Sequence, residues 1–134
     1  MTEFFLDKRL SSNTVQALDL PVSRVLVMDD ARFPWLVLVP RRPHLTEIFD
    51  VTPTDRVMLT EEVVLASEKL KALTGCHKIN VANLGNVVPQ LHIHVIARNP
   101  GDAAWPGPVW GQGAAVPYEP RALEAFVDAV VKMF

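Results

Sequence analysis

Apolar and polar positions along this chain fall into five strand-like stretches and two long helical ones. Thr14 to Leu18, Ser23 to Met28, Trp35 to Val39, His77 to Leu84 and Gln90 to Ile96 are short and rich in β-branched or aliphatic residues, so they read as strands. Asp29-Asp30-Ala31-Arg32-Phe33-Pro34 is a short polar connection between two apolar strands, which argues for antiparallel pairing there. Within the fourth stretch, Ile79 and Val81 are assigned to the core side. Leu59, Val63, Ala66, Leu70 and Leu73 recur at steps of four and three and form one buried helical stripe. Thr52 as cap, Pro53 at the first helical position, Asp55 near the positive end of the dipole and Thr74-Gly75 at the stop set the bounds of that helix. Met58, Leu65 and Ala72 form a weaker second stripe. It suits either more of the same sheet or a partner subunit. Pro120 opens a last helix, about 120–133, with Leu123, Phe126, Val127 and Val130 on one face. A short helix over 3–10 and a turn at Ser11-Ser12-Asn13 complete the prediction.

The chemistry concentrates in Gln90-Leu91-His92-Ile93-His94-Val95-Ile96. Period-two alternation sends Leu91, Ile93 and Val95 into a core and presents Gln90, His92 and His94 on the opposite, open face of the sheet. Residues two apart on a strand are about 6.5–7 Å from each other, so both imidazoles can reach one small ligand. Three readings follow. The two histidines are incidental on a solvated strand; or they are two ligands of a metal, completed by His44, His77 or Asp102; or one neutral imidazole attacks phosphorus while its neighbours hold the phosphate oxygens.

The third reading gains weight from a resemblance. The run is similar to the signature of the histidine triad (HIT) family of nucleotide hydrolases and transferases, His-φ-His-φ-His-φ-φ with φ apolar, and matches it everywhere except the first position, where Gln90 stands for His. The resemblance spans roughly residues 15–111. It implies that His92 is the nucleophile, that His94 and Gln90 complete the catalytic row, and that His44, just after the third strand in Pro40-Arg41-Arg42-Pro43-His44, belongs near the site. Arg41 and Arg42 read as solvated loop residues. In the loop Asn83-Leu84-Gly85-Asn86-Val87-Val88-Pro89, Asn86 is placed for a phosphate and Asn83 for a sugar, although such a loop also suits an ordinary turn. Trp105-Pro106-Gly107 resembles a segment that approaches a neighbouring subunit's site. Trp105 is therefore a pocket-lining candidate, with core cover or a dimer contact as the alternative.

The fold implied is α+β: an antiparallel sheet of about five strands with helices on one face, dimeric, in a single domain over 1–134 with its signature region at 83–111. The activity implied is hydrolysis or transfer at the α-phosphorus of a purine nucleotide conjugate, a dinucleoside polyphosphate or a nucleoside phosphoramidate, with no metal or other cofactor required. A nucleotide-binding module with little turnover and a metal-binding strand protein are the competing readings. Gln90 bears on the choice, because an amide can hold an oxygen or orient His92 but cannot exchange a proton at neutral pH.

Composition narrows this further. With 134 residues and a formal net charge of −2, the chain has no general attraction for nucleic acid polymers or acidic membrane surfaces. Cys76 is the single cysteine, so no intrachain disulfide forms. The longest apolar run, Trp35 to Val39, is far short of a membrane span, and the first residues lack a basic segment followed by an apolar one. A cytoplasmic location is the expectation.

Overall fold

The computed structural model describes residues 3–134. In chain order its elements are α1 (Lys8–Asn13), β1 (Thr14–Asp19), β2 (Ser23–Met28), β3 (Trp35–Pro40), a 3-10 turn (Ile48–Asp50), α2 (Pro53–Thr74), β4 (Lys78–Ala82), β5 (Ile93–Arg98) and α3 (Pro120–Met133). All five strands join one antiparallel sheet in the order β1-β2-β3-β5-β4. β5 thus lies inside the sheet, between β3 and β4, and its register sets Val37 of β3 opposite His94 and Leu36 opposite Val95.

Helix α2 begins and ends where the sequence places it. Thr52 Oγ1 accepts from the Asp55 amide at 3.3 Å, Pro53 occupies the first turn, and Gly75 closes the helix at φ 65°, a left-handed conformation that costs glycine little. Leu59, Ala66 and Leu70 are buried and Val63 is half-buried, but Leu73 is 40% exposed. The pattern also hides Glu62, which is buried. Its two carboxylate oxygens accept from the amides of Val22 and Ser23 at 2.8 Å each, satisfying the turn that joins β1 to β2.

The first helix differs from the prediction over 3–10. Residues 3–7 are irregular, and the helix covers 8–13, including the Ser11-Ser12-Asn13 predicted as a turn. Asp7 decides this, since its carboxylate accepts from the Arg9 amide at 2.8 Å and caps the helix one residue later. Val81 is the other departure. It shares a sheet face with Ile79 but is 50% exposed, because β4 is an edge strand and Val81 borders an open cavity between β4 and the Arg56–Val63 stretch of α2.

The two faces of the sheet are covered differently. Val25, Val27, Leu36, Leu38, Ile93, Val95 and Ala97 pack under α2 and α3 with Leu59, Ala66, Leu70 and Val130. On the other face Leu26, Trp35, Val37, Val39 and Ile96 form a second core with Leu10, Phe33, Ala104 and Val109. Its cover is α1 with the residues before it and the irregular segment after β5, so this face is not open as the alternation alone suggested.

Candidate active site

The strand carrying the histidines is regular only from Ile93. Before it, the Leu91 amide donates to the Leu45 carbonyl at 2.9 Å instead of to a neighbouring strand, yet the alternation of faces persists. Leu91, Ile93 and Val95 are buried in the core under the helices, while His92 and His94 project to the opposite face, 3% and 4% exposed. Their rings meet edge to face, centroids 4.8 Å apart.

The hydrogen bonds fix a different tautomer on each ring. His92 Nδ1 lies 2.6 Å from the Gln90 carbonyl, which can only accept, so Nδ1 carries a proton and in the neutral ring the lone pair is on Nε2. His94 Nδ1 lies 3.0 Å from Trp35 Nε1, which can only donate, so here Nδ1 carries the lone pair and Nε2 the proton. Trp35 stands diagonally across from His94 in the β3–β5 register, within reach of a large aromatic side chain. His94 Nε2 is buried and has no hydrogen-bond partner, a donor left free. Burial first, then the neighbouring His92, pushes the His94 pKa down to about 4. The Leu84 carbonyl nearby opposes this shift without reaching hydrogen-bond geometry with Nε2. His94 is therefore neutral at pH 7.

Both rings line a cavity of about 230 Å³, together with Arg9, Leu10, Asn13, Met28, Leu84, Asn86, Val87, Val88 and Trp110. Gly85 keeps its loop against the His92 ring: a Cβ there would lie 2.7 Å from the Val88 carbonyl oxygen and 3.7 Å from His92 Cε1. Of the residues proposed from sequence, His92, His94 and Asn86 come together in this cavity. Asn83 lines a smaller, polar cavity of about 160 Å³ that shares Asn86 and adds Thr46, Glu47, Gly85 and Pro89.

Gln90 does not face the pocket with its amide. Oε1 accepts from the Asp7 amide and Nε2 donates to the Phe5 carbonyl, each at 2.8 Å, so both ends are engaged with the N-terminal segment. His44 sits in an exposed turn after β3 with φ 62° and lines no part of the cavity. Trp105 stands at the Arg98 end of β5, edge to face with His77 at 5.6 Å and with the Arg98 guanidinium 5.9 Å from its ring centroid. The tryptophan at the site is Trp110, 4.9 Å from the His94 ring and 5.9 Å from Trp35. Spacing alone cannot say which tryptophan of a Pro- and Gly-rich segment turns toward the histidines. Trp35 gives no functional signal in the sequence because it opens a strand of otherwise ordinary core residues. Among the described residues no three His, Cys, Asp or Glu side chains are grouped to hold a metal ion, and Asp102, one candidate third ligand, is bound to Arg98.

Comparison with known proteins agrees with this geometry. None of the curated proteins matches the chain. A histidine triad protein from Bradyrhizobium japonicum is 45% identical over 98% of both chains, with a TM-score of 0.96. One from Sinorhizobium meliloti 1021 is 44% identical over 98% of this chain and 97% of its own, with a TM-score of 0.95. One from Marinobacter aquaeolei VT8 is 39% identical over 98% and 96%, with a TM-score of 0.96. The sequence model of the HIT domain matches residues 10–101, and with a five-stranded antiparallel α+β fold and two histidines set side by side in a pocket, the chain belongs to the HIT family, which includes nucleotide hydrolases and transferases.

Proposed function

We propose that this protein hydrolyses or transfers nucleotidyl groups at the α-phosphorus of purine nucleotide conjugates, dinucleoside polyphosphates or nucleoside phosphoramidates, through a covalent nucleotidyl-histidine. The observation that carries this reading is the pair of opposed tautomers: a lone pair on His92 Nε2 beside an unpartnered N–H on His94, in one cavity. A neutral imidazole approaches an anionic phosphate without the repulsion a carboxylate would meet. His92 Nε2 forms the N–P bond as the bond to the leaving group breaks, and the leaving group departs with that electron pair. The ring becomes an imidazolium whose Nδ1–H still donates to the Gln90 carbonyl, which stabilises the charge. Water or another acceptor then attacks phosphorus, the P–N bond breaks with its electron pair returning to His92 Nε2, and the acceptor's proton passes to solvent. His94 Nε2–H donates to a non-bridging oxygen in both steps, a role a neutral donor fills without trapping the product.

Trp110, Met28 and Leu10 offer the apolar wall suited to a purine, and Asn13 and Asn86 the amides suited to ribose or phosphate. Within one subunit the aromatic role falls to Trp110, not Trp105, and Asn83 remains a contact for the part of the ligand that extends toward Thr46. The two ends of the Gln90 amide are occupied, so no acid at this position assists departure, and a leaving group of low basicity is favoured. General acid assistance is typically worth about 10²–10⁴ in rate.

The reading includes a homodimer, supported by exposed apolar side chains on the edge strand and α2 (Val81, Met58, Leu65), and a cytoplasmic location consistent with one unpaired cysteine. No helix among the described residues is long and apolar enough to cross a membrane.

The test is AMP release from diadenosine polyphosphate and from an adenosine phosphoramidate, with and without EDTA, in the wild type and in His92→Ala. The expected result is release that ignores EDTA, is faster for the anhydride, and falls about a thousandfold or more in the variant. Release lost with EDTA, or retained in His92→Ala, overturns the mechanism. Tight nucleotide binding with no release leaves the binding-module reading, which the occupied Gln90 amide favours.

A further inference from the structure

Position 90 stands where the family has a histidine, yet its side chain reaches away from the reacting atoms. The Gln90 amide treats residues 5–7 as a neighbouring strand would: it accepts the Asp7 N–H and donates to the Phe5 carbonyl, two groups of one extended segment facing the same way. A second tie lies beside it, where Arg9 Nη1 donates to the Val87 carbonyl at 2.8 Å while the Asp7 carboxylate holds the same guanidinium. The segment so fastened is a wall of the site. Phe4, Leu6 and Leu10 pack on the second core, and Arg9, Leu10 and Asn13 line the cavity with both histidines. We propose that Gln90 is a positioning residue, not a proton carrier: its amide latches residues 5–7 and thereby holds the Arg9–Asn13 wall of the nucleotide pocket in place.

The choice of residue follows from geometry. The oxygen and nitrogen of an amide lie on one carbon and point the same way, matching a carbonyl and an N–H two residues apart on one strand. The donor and acceptor directions of an imidazole diverge, so a histidine at position 90 can make one of the two bonds but not both. Asp7 has φ −56°, so its N–H can be removed by proline without bending the chain.

The inference rests on the nucleotide-binding reading above, and its test separates the two. Amide exchange at Asp7, AMP affinity, and KM and kcat for the better substrate are measured for the wild type, Q90M and Q90H, with β5 and α2 amides as the control for folding. Expected in both variants are Asp7 exchange about tenfold faster, AMP affinity and KM weakened about tenfold, and kcat within about twofold, the scale of two net hydrogen bonds. Asp7→Pro, compared with Asp7→Ala, is expected to weaken AMP binding in the wild-type background and to add nothing in the Q90M background. Unchanged Asp7 exchange overturns the latch. So does a fall in kcat at constant KM, or a Q90H enzyme faster than wild type at unchanged affinity, since either makes position 90 a catalytic group. A wild-type chain that binds no nucleotide overturns the proposed function and not the latch, which the exchange measurement decides alone.

Discussion

At the scale of single residues, the site is a matter of which nitrogen holds the proton. Trp35 is the least obvious participant: an indole N–H can only donate, so it dictates that His94 presents Nε2–H toward the cavity. Trp35→Phe keeps the ring and removes the donor. Loss of that hydrogen bond is expected to cost about 1 kcal/mol of stability and to lower kcat about tenfold as His94 loses its fixed tautomer, with KM little changed. The low pKa of His94 adds a consequence in pH. The group titrates near 6.5 in an unfolded chain and near 4 when folded, so between those values the unfolded state binds the extra proton. Stability attributable to His94 is complete above about pH 6.5 and is lost as pH falls toward 4, by at most about 3 kcal/mol. Chemical denaturation across that range should show the slope in the wild type and a flatter dependence in His94→Asn. A slope that persists in the variant would assign it to another group.

At the scale of elements, what the sequence made legible was the facing of side chains more than the extent of regular structure. Period two placed Leu91, Ile93 and Val95 on one side and His92 and His94 on the other, and that held even where the backbone before Ile93 leaves the ladder. The bounds of α2 were legible because capping is local chemistry, complete within Thr52–Asp55 and at Gly75. The burial of Glu62 was not, since its reason is a pair of amides forty residues away in sequence. Nor were the roles of Gln90 and Trp110 legible, for each depends on which distant segment folds over the second face. The pattern left one ambiguity, the Met58 and Leu65 stripe, and the structure leaves it exposed, as it leaves Val81 on the edge strand β4. Unpaired edges with apolar side chains are costly in isolation, which is the physical ground for the proposed homodimer. Light scattering should return twice the 14.9 kDa chain mass, and Val81→Asp should shift it toward the monomer. A wild-type mass of one chain at micromolar concentration would end that proposal.

At the scale of the whole molecule, one sheet separates two cores of different construction. Helices α2 and α3 seal one; the other, which holds the histidines, is closed by chain without long regular elements, and so depends on a few polar ties. Gln90 and Arg9 tie down the segment before β1, and Arg98 ties down the segment after β5. The Arg98 side chain is 1% exposed and donates to both Asp102 oxygens, to Asn80 Oδ1 and to the Gly107 carbonyl, all at 2.8–3.0 Å, while lying over Phe33 and Trp105. The guanidinium, helped by the amides of Ala104 and Asn99 and opposed by desolvation, holds the Asp102 carboxyl well below the usual carboxylate range. A carboxylate so depressed stabilises the fold above about pH 4, and that contribution is lost as pH falls further, because the unfolded state then binds the proton first. Acid should therefore destabilise this protein through two separate windows: His94 between about 6.5 and 4, and below 4 Asp102 together with the other depressed carboxylates, Asp7, Asp30 and Asp50. Asp102→Asn is expected to flatten only the lower window, and His94→Asn only the upper. Arg98→Leu removes the buried cation from four acceptors at once and is expected to cost about 3–5 kcal/mol. Because the segment it anchors carries Trp110 into the site, the same variant should weaken AMP binding, whereas a substitution of comparable cost in the helical core, such as Leu70→Ala, should not. Equal loss of affinity in both would mean that the two cores melt as one, and that the histidine face has no independent hold on its cover.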